Sequence, residues 1–125
     1  MQVYSNLKAF AFPGQVKAFK GENLAAPVHV RIKPINHCNH DCWYCAYRVS
    51  NLQLGEDMDL KELITEDKMH EIADDLINMN VKAVTFTGGG EPLCNIHTID
   101  AIVYAKKKGM DVALITNGSL VSKEK

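Results

Sequence analysis

Apolar and polar positions along this chain alternate with two different periods. In Val28-His29-Val30-Arg31-Ile32 they alternate one by one, with β-branched residues on the apolar side, which predicts a strand that Pro34 ends. Met69, Ile72, Ala73, Leu76 and Ile77 recur at three-and-four spacing, which predicts a helix with one apolar face. Thr65 is expected to cap it, with Glu66 and Asp67 in the first turn where negative charge suits the helix dipole. Val81 to Thr87 then reads as a short strand. Asn95 is expected to cap a second helix that carries Ile99, Ile102 and Val103, ends in Lys106-Lys107-Lys108 and stops at Gly109. Met110 to Thr116 is a third strand, Asn117-Gly118 turns the chain, and Ser122 is placed to cap a further helix. Upstream, Pro13-Gly14 marks a turn and Gln15 to Lys20 a short helix. Between 48 and 64, Leu52, Leu54, Met58, Leu60, Leu63 and Ile64 fit no single period, so this stretch is expected to be a long excursion.

Strand, helix, strand, helix, strand is a run of βα units. The fold class it predicts is α/β with a parallel sheet and right-handed crossovers. Residues 1–27 read as a lead-in and 28–125 as the core. In such sheets ligands bind beyond the carboxyl ends of the strands. The cysteine-bearing loop follows the first strand, Gly88-Gly89-Gly90-Glu91-Pro92 the second, and Thr116-Asn117-Gly118 the third. Their shared position argues for one site.

Composition narrows the classes. The 125 residues suggest one domain, and 46% apolar with 23% charged residues is ordinary for a globular chain. A net charge of −1 offers no basic field for nucleic acid or an anionic membrane. No apolar run approaches the roughly 20 residues of a membrane span. Met1 to Phe12 lacks the layout of a secretory signal, so the cytoplasm is the expected location. Three of the four cysteines fall within eight residues, a spacing that suits metal or redox chemistry rather than disulfides.

The cysteine segment is Cys38-Asn39-His40-Asp41-Cys42-Trp43-Tyr44-Cys45, a C-x3-C-x2-C spacing. Thiolates favour iron–sulfur clusters, zinc or copper(I). A [4Fe–4S] cube held by three thiolates keeps one iron open, whereas four would close it. A zinc site would need His37 or His40 as a fourth ligand, and zinc sites more usually join two separated ligand pairs. Such a site would make the chain a small zinc-binding module for structural or partner-binding purposes. A thioredoxin-like reading of Cys42 to Cys45 leaves Cys38 unexplained.

These motifs together resemble those of the radical S-adenosylmethionine superfamily, from roughly residue 28 to the end. Tyr44 is the aromatic of its C-x3-C-x-aromatic-C motif, Gly89-Gly90-Glu91-Pro92 its glycine–glutamate turn, and Thr116-Asn117-Gly118 its pattern after the third strand. The resemblance implies that Cys38, Cys42 and Cys45 each bind one iron of a [4Fe–4S] cluster. The open iron would chelate the methionine amino nitrogen and carboxylate of S-adenosylmethionine. Gly88, Gly89, Gly90 and Glu91 would hold the amino group, through backbone made approachable by the missing Cβ atoms and through the Glu91 carboxylate. Tyr44 would lie near the adenine, largely through its backbone, and Asn117 would line the cavity. The implied reaction is reductive cleavage of S-adenosylmethionine to methionine and a 5′-deoxyadenosyl radical that abstracts hydrogen from a substrate. An electron donor such as a flavodoxin or ferredoxin is the implied partner. No catalytic residue is assigned beyond the cluster.

The implied fold is a parallel (β/α) barrel of TIM-barrel type, of which the pattern supplies about three units. Since eight units take roughly 250 residues, the expectation is the N-terminal half of the core domain. Other residues have plainer roles. Cys94 reads as a small buried side chain rather than a fourth ligand. Trp43 is expected to cover the cluster, and His29, His70 and His97 to be structural. Gly88 to Gly90 is no phosphate loop, because no lysine-serine or lysine-threonine pair follows.

Overall fold

A computed structural model describes residues 11–18, 21, 24–48 and 55–122. In order they form α1 (Pro13–Ala18), β1 (His29–Ile32), α2 (Glu66–Asn78), β2 (Ala83–Phe86), α3 (Thr98–Lys107) and β3 (Asp111–Leu114), with a 3-10 turn over Pro92–Cys94. The strands form one parallel sheet in the order β1-β2-β3, pairing Ile32 with Phe86 and Phe86 with Leu114. Spatial order therefore follows chain order, as in a singly wound barrel; the three-stranded sheet is open rather than closed. The α/β class and the parallel sheet expected from the sequence are both present.

Period-2 alternation decides which way the sheet faces. Val30, Ile32, Val84, Phe86, Val112 and Leu114 share the face that packs on the core with α2 and α3. Phe86 and Val84 are almost fully buried. His29 lies on the other face, where its Nε2 meets the Thr85 hydroxyl at 2.7 Å. That is the structural role expected of it. Met69, Ala73 and Leu76 bury the apolar stripe of α2, with Ile72 and Ile77 half-buried beside them.

The two long helices end in the same way. Asn80 (φ 64°) and Gly109 (φ 94°) are left-handed, and the N–H groups of Val81 and Met110 bond back to the carbonyls of Leu76 and Ala105. These bonds satisfy carbonyls that a helix end would otherwise orphan and turn the chain into the next strand. The sequence pattern marked Gly109 but not Asn80.

Four local expectations are corrected. Pro13-Gly14 opens α1 instead of forming a separate turn, because proline's fixed φ suits the first helical position. Thr65 precedes α2 but makes no side-chain capping bond. Asn95 does not sit at the start of α3. It is 2% exposed, its amide donates to the carbonyls of Pro34 (2.9 Å) and Ile64 (2.8 Å), and its oxygen accepts from the N–H of His97. The buried face of α3 is Thr98, Ala101 and Ala105, with Ile102 half-buried against the core as expected, while Val103 is exposed. Small side chains there let α3 pack close to α2 and the sheet.

The excursion after the cysteine loop is described from residue 55 onward. It returns alongside the end of β1, where Ile35 pairs with Leu63, Asn36 N–H donates to Glu62, and Ile64 N–H to Pro34. Leu52, Leu54 and the residues that would follow the Ser122 cap lie outside the described residues.

Candidate functional site

The loops after β1, β2 and β3 meet at the carboxyl edge of the sheet and enclose an open cleft of about 470 Å³. Pockets for small ligands generally run about 300–1,000 Å³. All of the site residues expected from the sequence line it: Cys38, Cys42, Tyr44 and Cys45 from the first loop, Gly88 to Glu91 from the second, and Asn117 from the third. Tyr47, Thr87 and Ile115 also line it without having been singled out for a ligand, as does His40, the fourth ligand that a zinc site would have needed.

The cysteine loop is held by backbone before its thiols begin. Gly90 N–H donates to the Ile35 carbonyl (3.1 Å) and Glu91 N–H to that of His37 (2.9 Å), so the glycine turn runs beside the entry to Cys38. A Cβ on Gly90 would overlap the carbonyl oxygen of His37, and one on Gly89 would crowd the Met58 methyl at 2.9 Å. The space left by these missing Cβ atoms is therefore taken up by loop-to-loop packing. Within the loop, Cys45 N–H donates to Cys42 and Arg48 N–H to Cys45, forming tight turns. The N–H of His40 points at Cys38 Sγ (3.4 Å), a donor of the kind that tunes a thiolate-bound cluster.

Cys38, Cys42 and Cys45 are all free and half-buried. Among the described residues, the set of His, Cys, Asp or Glu whose ligand atoms lie within 4.8 Å of one another is Glu66, His70 and Asp100, on the outer face of α2 and α3. Their proximity is accounted for by two helix-to-helix pairs, His70 to Asp100 at 2.7 Å and His97 to Glu66 at 3.0 Å. The three cysteine sulfurs do not come that close together. Ligands of one tetrahedral zinc would, since zinc–sulfur bonds of about 2.3 Å put neighbouring sulfurs under about 4 Å apart. Three soft thiolate donors on one loop fit an iron–sulfur cluster with one iron left open.

Glu91 is the most constrained polar residue of the site. It is 3% exposed, and its carboxylate accepts three hydrogen bonds. Oε1 accepts from Leu93 N–H (3.1 Å) and the Thr116 hydroxyl (2.6 Å), and Oε2 accepts from Asn117 N–H (2.8 Å). The expected use of this carboxylate on a ligand amino group competes with three protein donors. The Asn117 side chain, expected to line the cavity, also donates to Asn39 Oδ1 at 3.0 Å.

Tyr44 is well exposed at the cleft rim, edge-on to Trp43. A hydrogen bond with Cys42, followed by the charge of that thiolate, holds its phenol above the ordinary tyrosine value. Trp43 is 87% exposed and does not line the cleft, so it does not cover the cysteines as expected. Cys94 sits in the 3-10 turn outside the cleft lining. Burial pushes its thiol up, with a smaller opposing bond from Asn39, which keeps it a neutral side chain. Asn39 and Ser119 escaped the sequence reading as contributors, and Thr116 was named only as part of its motif. Thr116 and Asn117 carry a local signal, since their side chains accept from the N–H groups of Gly118 and Ser119.

Comparison with known proteins places this geometry. The profile of the radical SAM superfamily matches residues 32–125. Over 109 residues the chain is 32% identical to the GTP 3′,8-cyclase of Staphylococcus saprophyticus, covering 82% of this chain and 31% of that protein. It is 28% identical over 111 residues to a protein of Brachyspira hyodysenteriae named GTPase Obg, covering 82% of this chain and 15% of that one. The crystal structure of Streptococcus suis SuiB bound to S-adenosylmethionine superposes with a TM-score of 0.68 at 17% identity, over 98% of this chain and 28% of that one. The chain thus spans less than a third of the length of each of these proteins.

Proposed function

The chain belongs to the radical SAM superfamily, and from that premise we propose that its cleft holds a [4Fe–4S] cluster on Cys38, Cys42 and Cys45 and binds S-adenosylmethionine beside it. The observation that carries this reading is the convergence of three half-buried thiols with the glycine turn and Asn117 around one cleft. The solved relative SuiB binds S-adenosylmethionine, which supports the cofactor.

A cluster on Cys38, Cys42 and Cys45 would supply the electron for reductive cleavage of S-adenosylmethionine and so the hydrogen-abstracting chemistry. The chain's own residues bind and orient. The backbone of Gly88 to Glu91 borders the place for the methionine amino group, and the rim at Tyr44 the place for adenine. Glu91 holds the loop after β3 against the glycine turn, keeping both walls of the cleft in place. A low-potential one-electron donor such as a flavodoxin or ferredoxin is the partner this chemistry requires. Among the described residues no helix is long and apolar enough to cross a membrane. All four cysteines are free, which supports a reducing compartment, the cytoplasm.

The test is anaerobic reconstitution with iron and sulfide, followed by electron paramagnetic resonance of the reduced protein with and without S-adenosylmethionine. A [4Fe–4S] signal that changes on adding S-adenosylmethionine, and is lost in Cys42→Ala, is expected. A colourless protein that binds one zinc and no cluster refutes the proposal.

A further inference from the structure

The first and third loops are joined by a closed ring of side-chain hydrogen bonds. Asn117 Nδ2 donates to Asn39 Oδ1 (3.0 Å), Asn39 Nδ2 donates to Ser119 Oγ (2.8 Å), and Ser119 Oγ donates to Asn117 Oδ1 (2.7 Å). Each of the three side chains both gives and accepts, so each bond polarises the next. Asn39 stands directly after Cys38, and 78 to 80 residues of chain separate it from its two partners. The third loop is in turn fixed to the second, because Glu91 takes the Asn117 N–H and the Thr116 hydroxyl. The loop after β2 reaches this stretch through the Cys94 thiol, which meets the Asn39 backbone. The Asn39 side chain ties it instead to the third loop, and through that loop to the buried Glu91.

Resting on the cluster reading above, we propose that the Asn39–Asn117–Ser119 ring is a latch that holds the Cys38–Cys42 segment in place, which makes Asn39 a positioning residue for the cluster. The ring lies on the exposed side of the loops, so water competes for its bonds and the folded chain does not depend on it. Its effect falls on the ligand loop. Opening the latch lets Cys38 swing away from its iron and admits solvent to the cluster, and solvent access and hydrogen bonding both set a cluster's potential. Two inter-loop bonds are lost in Asn39→Ala. At the usual net worth of such bonds, that amounts to a roughly tenfold faster release of iron.

The experiment compares wild type, Asn39→Ala, Asn39→Asp, Asn117→Ala and the Asn39→Ala/Asn117→Ala double variant after anaerobic reconstitution. It reads the bleaching rate of the brown cluster under excess ferrous chelator and the midpoint potential by redox titration. Asn39→Ala is expected to bleach about tenfold faster than wild type and to shift the potential. Asn39→Asp should fall between, because it still accepts from Asn117 but cannot donate to Ser119. The double variant should be no worse than either single one, since all break the same ring. Cluster-free Asn39→Ala should still unfold in one cooperative urea transition with the wild-type m-value, which shows that the fold survives the change. Wild-type bleaching rates and potential in Asn39→Ala, or additive losses in the double variant, overturn the latch and leave the cluster reading standing. A wild-type protein that takes up no cluster overturns both.

Discussion

Replacing Glu91 with glutamine separates a structural carboxylate from a ligand-binding one. Glutamine matches glutamate in shape, and its carbonyl oxygen can take the place of Oε1, accepting from Leu93 N–H and the Thr116 hydroxyl. Its amide nitrogen must then stand where Oε2 stands and face the Asn117 N–H, donor against donor. The lost charge-assisted bond, with two donors left facing each other, costs about 1.5–3 kcal/mol. Weakening the two surviving bonds from charged to neutral acceptors raises the total to about 2–4 kcal/mol. With a urea m-value of about 2 kcal/mol per M, the middle of the usual range, the unfolding midpoint should fall by about 1–2 M. The measurement is urea denaturation of the cluster-free protein followed by circular dichroism, checking that m is unchanged. Without cluster or S-adenosylmethionine, a purely ligand-binding carboxylate would be silent. An unchanged midpoint in Glu91→Gln would refute the clamp.

Two further outcomes are expected. Gly90→Ala puts a Cβ into the His37 carbonyl oxygen, so the backbone bonds from Gly90 and Glu91 to the cysteine loop must break; iron bound after reconstitution should drop well below wild type, and full iron content would show that the loops are not so closely apposed. On the helix face, the Lys108 bond, then the Tyr104 hydroxyl, holds Asp74 below its ordinary value of 3.8, and the same bond raises Lys108 above 10.5. A depressed carboxylate stabilises the fold above its unfolded-state value and loses that contribution as pH falls through its lower folded-state value. Lys108, being raised, loses its contribution as pH rises through its folded-state value above 10.5. Melting temperature should therefore fall less steeply below pH 3.8 in Asp74→Asn than in wild type at low salt. Parallel curves would show that this exposed pair contributes nothing.

What the sequence determined by itself was whatever depends on neighbours in the chain. Alternation in Val28 to Ile32 and three-and-four spacing from Met69 to Ile77 are local signals, and β1 and α2 lie where those signals put them. Connectivity did the rest. Parallel strands joined by helices place every following loop at one edge, so Cys38, Gly90 and Asn117 were bound to meet there. The tertiary structure decided which partner each polar group took and which face each helix buried. Glu91 reaches Thr116 across 25 residues, Asn95 reaches Pro34 across 61, and Asn39 reaches Ser119 across 80. No periodicity records such distances. The side chain types permit many partners, and only packing selects one. For the same reason α3 buries Ala101 and Ala105 rather than Val103. The stripe of greatest apolarity is a property of the helix alone, whereas the buried stripe is set by how closely α2 and the sheet allow it to approach.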